Sequence, residues 1–141
     1  TQGLGITIQP DQKIIICGST YQTQNNFYVA RLTTQGMLDP TFASLGYNIT
    51  PIGSGAQANS VKLQSSGDII AAGSAFTHTT VFALARYTST GSLDTTFGLN
   101  GITTTAVGSY AILNDIAIQS DDAIIAAGSV NNNTSTYVCL T

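Results

Sequence analysis

The chain has 141 residues, of which 43% are hydrophobic and 8% are charged, and its net charge is −3. This apolar content excludes a disordered tail and is sufficient for about one globular domain. Only two Lys and two Arg are present, so the chain has no basic stripe that could neutralise a run of phosphates. We therefore expect no nucleic-acid partner.

The polar residues are mainly uncharged, with 21 Thr, 13 Ser, 9 Asn, 9 Gln and no Glu. Thr is a good strand former, whereas Lys and Glu are poor ones, so this composition favours β structure over helix. No apolar run approaches the roughly 18 residues that span a bilayer. The first residues, TQGLGITIQPDQK, lack the charged-then-apolar order of a signal peptide. We expect no membrane insertion, although a leader could have been removed.

The sequence repeats with a period of 55 residues. The dipeptide Gly-Ser recurs at this interval as Gly18-Ser19, Gly73-Ser74 and Gly128-Ser129. The segments ITIQPDQKIIICGS, VKLQSSGDIIAAGS and IAIQSDDAIIAAGS, which contain these dipeptides, align without a gap. Such regularity predicts tandem structural units. We divide one domain, 1–141, into repeats 1–55, 56–110 and 111–141, of which the third is incomplete.

The middle repeat contains four strand-like runs, near 59–64, 68–74, 81–88 and 101–107. The breaks between them are rich in Gly, Ser and Asp, which is typical of turns. No segment has the 3.6-residue apolar period of a helix, so we predict no helix beyond a single turn near LDTTF. Counted over the whole chain, the pattern predicts 11 strands.

Four consecutive antiparallel strands in each repeat predict an all-β fold built of β-propeller blades. The run 81–88 is apolar on both faces, as a blade between two other blades requires. Propellers usually have about four to eight blades, so three blades leave an apolar face uncovered for assembly. We expect either a two-fold dimer that closes a six-bladed ring or further blades of a longer chain, which the stop inside a third strand favours.

The middle repeat, SVKLQSSGDIIAAGS followed by FALARYTSTGSLDTTFGLNGITTT, resembles the delta-60 repeat of bacterial surface and secreted proteins. That family has an ALQPDGK hairpin, an AGS strand end, an F-ALARY strand and an SLDTTFG-x-x-G segment. The resemblance implies a β-propeller exposed outside the cell or at its surface, and it implies little about function. The chain departs from the pattern at Gln12 and Asp122, where the hairpin glycine belongs, and at Ala43 to Leu45. These departures leave the local turn geometry open.

Three residue types recur at matched positions after the third strand-like run, as Arg31 and Arg86, Asp39 and Asp94, and Phe42 and Phe97. The carboxylates could belong to an active site, but a catalytic pair is rarely needed once in every blade. We predict a structural role, in which each Asp caps a tight turn and each Arg has a buried acceptor. The Phe residues are predicted to fill the crevice between blades.

No nucleophile, paired carboxylate or cofactor loop is evident, so we predict no catalytic residue, cofactor or enzymatic activity. His78 is the single histidine and lies in no Cys/His/Asp cluster, so we predict no metal site. Cys17 and Cys139 lie at different points of the repeat, which favours two buried thiols over a disulfide. Asn48, Asn132 and Asn133 each begin a glycosylation sequon, whose use depends on the source.

The segments between the second and third strands, STYQTQNNF, SAFTHTTVF and SVNNNTSTY, have one length but no common sequence. Varied loops on a rigid scaffold are typical of a binding face, although they could also be unconstrained. The candidate ligand contacts on this face are Tyr21, Phe76, His78 and Tyr110. We predict a non-enzymatic binding or adhesion module for a glycan or a protein. The alternative is a structural or assembly unit of a larger surface protein without a small ligand.

Overall fold

The computed structural model describes residues 1–131 in full and residues 136–140 as a backbone strand. Asn132 and Asn133 lie outside the described residues, as does the side chain of Cys139. The described part of the chain contains strands and turns but no helix, so no helix there is long and apolar enough to cross a membrane. The predicted all-β fold is confirmed.

The eleven described strands form three antiparallel sheets, which we call blades 1, 2 and 3. Blade 1 contains β1 (Gln2–Ile8), β2 (Ile14–Tyr21), β3 (Asn25–Leu32) and β4 (Tyr47–Thr50). Blade 2 contains β5 (Ala56–Leu63), β6 (Ile69–Phe76), β7 (Thr80–Tyr87) and β8 (Ile102–Thr105). Blade 3 contains β9 (Tyr110–Ile118), β10 (Ile124–Asn131) and β11 (Thr136–Leu140). In every blade, consecutive strands are hydrogen-bonded neighbours.

The first hairpin of each blade has the same turn despite its different residues. Gln12, Gly67 and Asp122 all lie in the left-handed region, with φ of 68°, 86° and 65°. The N–H of each donates to the carbonyl of the glutamine three residues earlier, at 2.8, 2.9 and 3.0 Å respectively. A type I turn followed by a left-handed residue is common in hairpins of this length. The two departures from glycine therefore preserve the turn, at a conformational cost for residues with a Cβ.

The repeated glycine of the Gly-Ser dipeptide lies where the first strand of a blade bulges against the second. A Cβ on Gly18, Gly73 or Gly128 would approach a carbonyl oxygen of the first strand to 1.8, 2.0 or 2.2 Å. Real side chains do not tolerate such distances, so only glycine fits without moving the backbone. The 55-residue spacing of this residue is therefore a steric requirement of each blade.

The hydrophobic core lies between the blades, because successive side chains of a strand point to opposite faces of its sheet. Ile69 of β6 belongs to the cluster between blades 1 and 2, whereas Ile70 belongs to the cluster between blades 2 and 3. Small residues such as Ala71 and Ala72, both fully buried, allow neighbouring sheets to approach closely. The first strands β1, β5 and β9 lie side by side along one edge of this stack.

Candidate functional site

Asp39 is held in a dense set of donors just after β3. Thr41 donates its hydroxyl and its N–H to Asp39 Oδ1 at 2.6 and 3.0 Å. Arg31 Nε donates to Asp39 Oδ2 at 2.8 Å, and Lys13 Nζ lies 3.0 Å from the same oxygen. The Thr41 hydroxyl is the main cause that holds the pKa of Asp39 well below its ordinary value, with smaller contributions from Lys13 and Arg31. This carboxylate therefore both caps a turn and accepts the arginine.

The Arg31 side chain also connects blade 1 to blade 2. Its Nη1 donates to the carbonyl of Ser89 at 2.8 Å, and its guanidinium lies 4.9 Å from the centre of the Phe42 ring. Phe42 is completely buried, and a Cβ on Gly91 of blade 2 would lie only 2.7 Å from its ring. The structure thus places Phe42 in the crevice between these two blades.

The same arrangement recurs one repeat later, where it is more exposed. Arg86 Nε donates to Asp94 Oδ2 at 2.7 Å, and the guanidinium lies 4.8 Å from the centre of the half-buried Phe97 ring. The hydroxyl of Thr96 is the main cause that lowers the pKa of Asp94. Exposure of the Arg and Asp side chains rises from 9% and 5% in the first pair to 23% and 16% in the second. Both carboxylates are saturated by donors from the protein, as expected of framework residues.

The potential ligands for a metal are dispersed in the described part of the chain, where no group of three His, Cys, Asp or Glu side chains comes together. Cys17 is fully buried between blades 1 and 2, and this burial raises the pKa of its thiol to about 12. A thiol that stays protonated at neutral pH is a poor nucleophile and a poor metal ligand. Cys17 therefore acts as a small apolar residue of the core.

Asn48, the sequon residue within the described part, has its amide turned towards blade 2. Its Nδ2 donates to the carbonyl of Gly91 at 2.9 Å, and the side chain is half-buried. A glycan on Nδ2 would remove this contact and would have to fit between the blades. This environment is therefore unfavourable for glycosylation of Asn48.

The loops between second and third strands share one end of the molecule with the connections between blades. We call this end the loop face, and it comprises residues 22–24, 51–55, 77–79 and 106–109. Ser54 N–H donates to the carbonyl of Phe76 at 2.8 Å, and Gln24 Nε2 donates to the carbonyl of Gly53 at 3.0 Å. The two sets of loops thus touch each other, as the blade topology predicts.

A cleft of about 440 Å³ opens on the loop face between blades 1 and 2. Tyr21 of blade 1 and Phe76 of blade 2 line it, with exposures of 72% and 50%. The remaining lining residues are Thr23, Gln24, Asn25, Ser54, Gly55, Ala56, Gln57, Ser74, Ala75 and Thr80. All twelve side chains are uncharged. The cleft thus offers two aromatic surfaces together with amide and hydroxyl groups, and it suits a neutral polar ligand.

The structure separates the four predicted contact residues into two groups. Tyr21 and Phe76 line the cleft together, whereas His78 is exposed on the next loop and Tyr110 begins β9, 47% exposed. Gly55, which sequence reasoning missed, lies at the repeat position of Tyr110 and leaves the cleft open. The replacement of tyrosine by glycine at matched positions was the available signal for it.

The blades, their turns and their framework residues agree with a comparison to known protein families. A family of β-propeller repeats matches this chain twice. Its description is "Domain of unknown function (DUF5122) beta-propeller", and the matched segments are residues 9–42 and 64–97. Each segment runs from the glutamine of the first hairpin to Phe42 or Phe97, so it contains the Arg, Asp and Phe described above. No curated protein matches the chain.

Proposed function

We propose that this chain is a non-enzymatic binding module and that a neutral glycan occupies the cleft between blades 1 and 2. The observation that carries this proposal is the joint placement of Tyr21 and Phe76 in one open, uncharged cleft on the loop face. Binding sites commonly combine an apolar lining with a few polar groups that orient the ligand. The cleft has this combination, and its volume of about 440 Å³ lies within the usual range for ligand sites.

The chemistry of the lining favours a sugar over other neutral ligands. A pyranose ring presents C–H groups on its faces and hydroxyls around its edge, so it fits aromatic surfaces bordered by amides. Tyr21 and Phe76 provide such surfaces, and each has only two side-chain torsions to immobilise on binding. Gln24, Asn25 and Gln57 add both donors and acceptors for sugar hydroxyls. The absence of charged groups from this lining disfavours acidic and basic ligands.

A binding role is also supported by the state of the carboxylates. The pKa values of Asp39, Asp94, Asp115 and Asp122 are all lowered, and in each case the largest cause is a hydroxyl donated by the protein. General acid catalysis at neutral pH needs a carboxyl group whose pKa is raised. These four carboxylates therefore suit structural roles better than acid catalysis.

The repeats are proposed to be of the delta-60 type, and the protein to be exposed outside a bacterial cell or at its surface. The hairpin, the AGS strand end, the ALARY strand and the SLDTTFG segment support this assignment. A glycan-binding role is consistent with such an exposed position.

The test begins with an array of neutral and charged glycans probed with the full chain, followed by calorimetric titration of the best ligand. Tyr21→Ala and Phe76→Ala should each weaken binding at least tenfold, whereas His78→Ala, on the same face but outside the cleft, should not. Loss of binding in His78→Ala with Tyr21→Ala unaffected would move the site to the next loop. Preference for charged glycans, or binding of none, would contradict the proposal.

Gly55→Tyr provides the sharpest variant, because the chain already carries tyrosine at the equivalent Tyr110. A Cβ on Gly55 would have no atom of another part of the chain within 4 Å, and its φ lies outside the left-handed region. The substitution should therefore fold normally while its ring fills the cleft. Unchanged glycan affinity in a folded Gly55→Tyr variant would show that the ligand binds elsewhere.

A further inference from the structure

The outer face of blade 1 carries a continuous apolar surface. We call it the blade-1 flank, and its central side chains are Ile6, Ile8, Ile14, Ile16, Ala30 and Tyr47. These residues lie on one face because they are direct cross-strand partners, such as Ile6 with Ile16 and Ile8 with Ile14. Ile6 and Ile8 are 64% and 60% exposed, and a shallow groove of about 300 Å³ lies beside them. Exposed apolar patches of this kind mark interaction surfaces.

The repeat shows what such a face binds. Advancing each flank residue by 55 positions gives Val61, Leu63, Ile69, Ala71, Ala85 and Ile102 of blade 2. Val61, Ile69, Ala71 and Ala85 are at most 1% exposed, and all six pack in the cluster between blades 1 and 2. The flank is therefore the counterpart of a surface that, one repeat later, is covered by a neighbouring blade.

We propose that the blade-1 flank binds blade 3 of a second copy of this chain, and that two copies associate reciprocally into a closed six-bladed ring. In blade 1, Ile15 and Cys17 are the side chains that cover blade 2. The residues at the same repeat positions in blade 3 are Ile125 and Ala127, which remain partly exposed. One copy thus has the covering face and the other the covered face, and a two-fold arrangement uses both faces of both copies.

Polar contacts at the junction of blades 2 and 3 provide a template for the same interface. Asn59 Nδ2 donates to the carbonyl of Leu113 at 2.7 Å, and Gln64 Nε2 donates to the carbonyl of Asp122 at 2.9 Å. The repeat equivalents of these donors in blade 3 are Asn114 and Gln119, and both are exposed.

The repeat likewise assigns acceptors for these two donors. Advancing the acceptor positions by one repeat and counting onward into the second copy gives the carbonyls of Gly3 and Gln12. Both carbonyls belong to blade 1, at the edge of the blade-1 flank. The register of the proposed interface is therefore set by the repeat itself.

The first test is the molar mass of the full chain by light scattering over a dilution series. The chain mass is 14.6 kDa, so the proposal requires a particle of about 29 kDa, twice that value. The double variant Ile6→Asp with Ile8→Asp should give a particle of one chain mass with an unchanged circular dichroism spectrum. Leu99→Asp is the matched control, because Leu99 is 79% exposed but lies on blade 2 away from the flank, and it should still dimerise.

A mixing experiment tests which blade meets the flank. Ile125→Asp should also be monomeric alone, because it damages the other half of each junction. Mixed with the Ile6→Asp, Ile8→Asp variant, it should form a particle of two chains, since one junction then has both of its faces intact. If Ile125→Asp alone dimerises like the unmodified chain, the flank binds another flank and the proposal fails.

The remaining outcomes also decide the matter. An unmodified chain that stays monomeric at all concentrations, or that grows without limit, contradicts closure by two copies. A dimer that survives the double substitution in the flank places the interface elsewhere. Glycan binding does not enter this test, so its outcome is separate from that of the proposed function.

Discussion

Phe42 and Phe97 occupy the same position in successive repeats but differ in burial, so the chain contains its own control for the value of the crevice. Phe42 is fully buried against Gly91 of blade 2, whereas Phe97 is half-buried. Each ring lies under the guanidinium of the arginine in its own repeat, at 4.9 and 4.8 Å. Local chemistry is therefore matched, and the difference between Phe42→Ala and Phe97→Ala measures inter-blade packing.

The expected magnitudes follow from burial. Removing a fully buried phenyl ring loses its transfer free energy and leaves a cavity, which together cost about 3–5 kcal/mol in the free energy of unfolding. At Phe97 part of the ring is already in water and no closed cavity forms, so Phe97→Ala should cost roughly 1–2 kcal/mol. The total stability of such a domain is about 5–15 kcal/mol, so Phe42→Ala can leave little native protein.

The assay is urea unfolding followed by circular dichroism and tyrosine fluorescence. Phe42→Leu serves as a milder variant, because it retains most of the volume and should cost roughly 1–2 kcal/mol. The slope of unfolding with urea must stay constant for the midpoints to report stability. Equal costs for Phe42→Ala and Phe97→Ala would refute the reasoning, since they would show that burial between blades 1 and 2 adds nothing to the ring's contribution.

Three further predictions concern titration, reactivity and the backbone. The folded pKa of Asp39 lies below its ordinary value of 3.8, so its ionised form stabilises the fold above that pH and this stabilisation is lost as the pH falls further. Asp39→Asn should accordingly flatten, compared with the parent chain, the fall in urea midpoint below pH 4, and an equal fall in both would contradict this. Cys17 should resist iodoacetamide in the folded chain and react in urea, as peptide mass mapping can establish; rapid native labelling would show that its burial is not maintained. Gln12→Gly should raise the free energy of unfolding by up to about 1 kcal/mol, because a Cβ is unfavourable at this φ of 68°. Asp122→Gly should not match that gain, because Asp122 accepts hydrogen bonds from the N–H and hydroxyl of Ser65, and a larger gain there would contradict this account.

The blades were predictable from the sequence because their constraints are local and repeated. Gly18 and its counterparts recur every 55 residues, since each faces a carbonyl oxygen that excludes any side chain. Apolar alternation in the strands likewise predicted two inter-blade faces, and Ile69 and Ile70 follow it into different clusters. Turn geometry was less predictable, because Gln12 and Asp122 adopt the backbone of Gly67 without its residue type.

The pairing of Arg31 with Asp39 shows where sequence reasoning stops. Each residue was assigned a structural role, but the eight positions between them did not indicate mutual contact. The turn after β3 reverses the chain, so that Leu32 pairs with Leu38 and Asp39 N–H donates to the carbonyl of Arg31. The ion pair is thus a consequence of one short reversal. The cleft was harder to predict, because it requires the spacing of loops that belong to different blades.

The two junctions described here use different polar contacts around similar apolar surfaces. Between blades 1 and 2, Arg31 and Asn48 donate to backbone carbonyls, whereas between blades 2 and 3 the donors are Asn59 and Gln64. Apolar stacking therefore fixes how blades face one another, and polar side chains at the edges are free to differ. The same freedom on the loop face allows glycine at position 55 and tyrosine at position 110. A repeated framework can thus hold a cleft at one junction and a different surface at the next, without any change in the blades themselves.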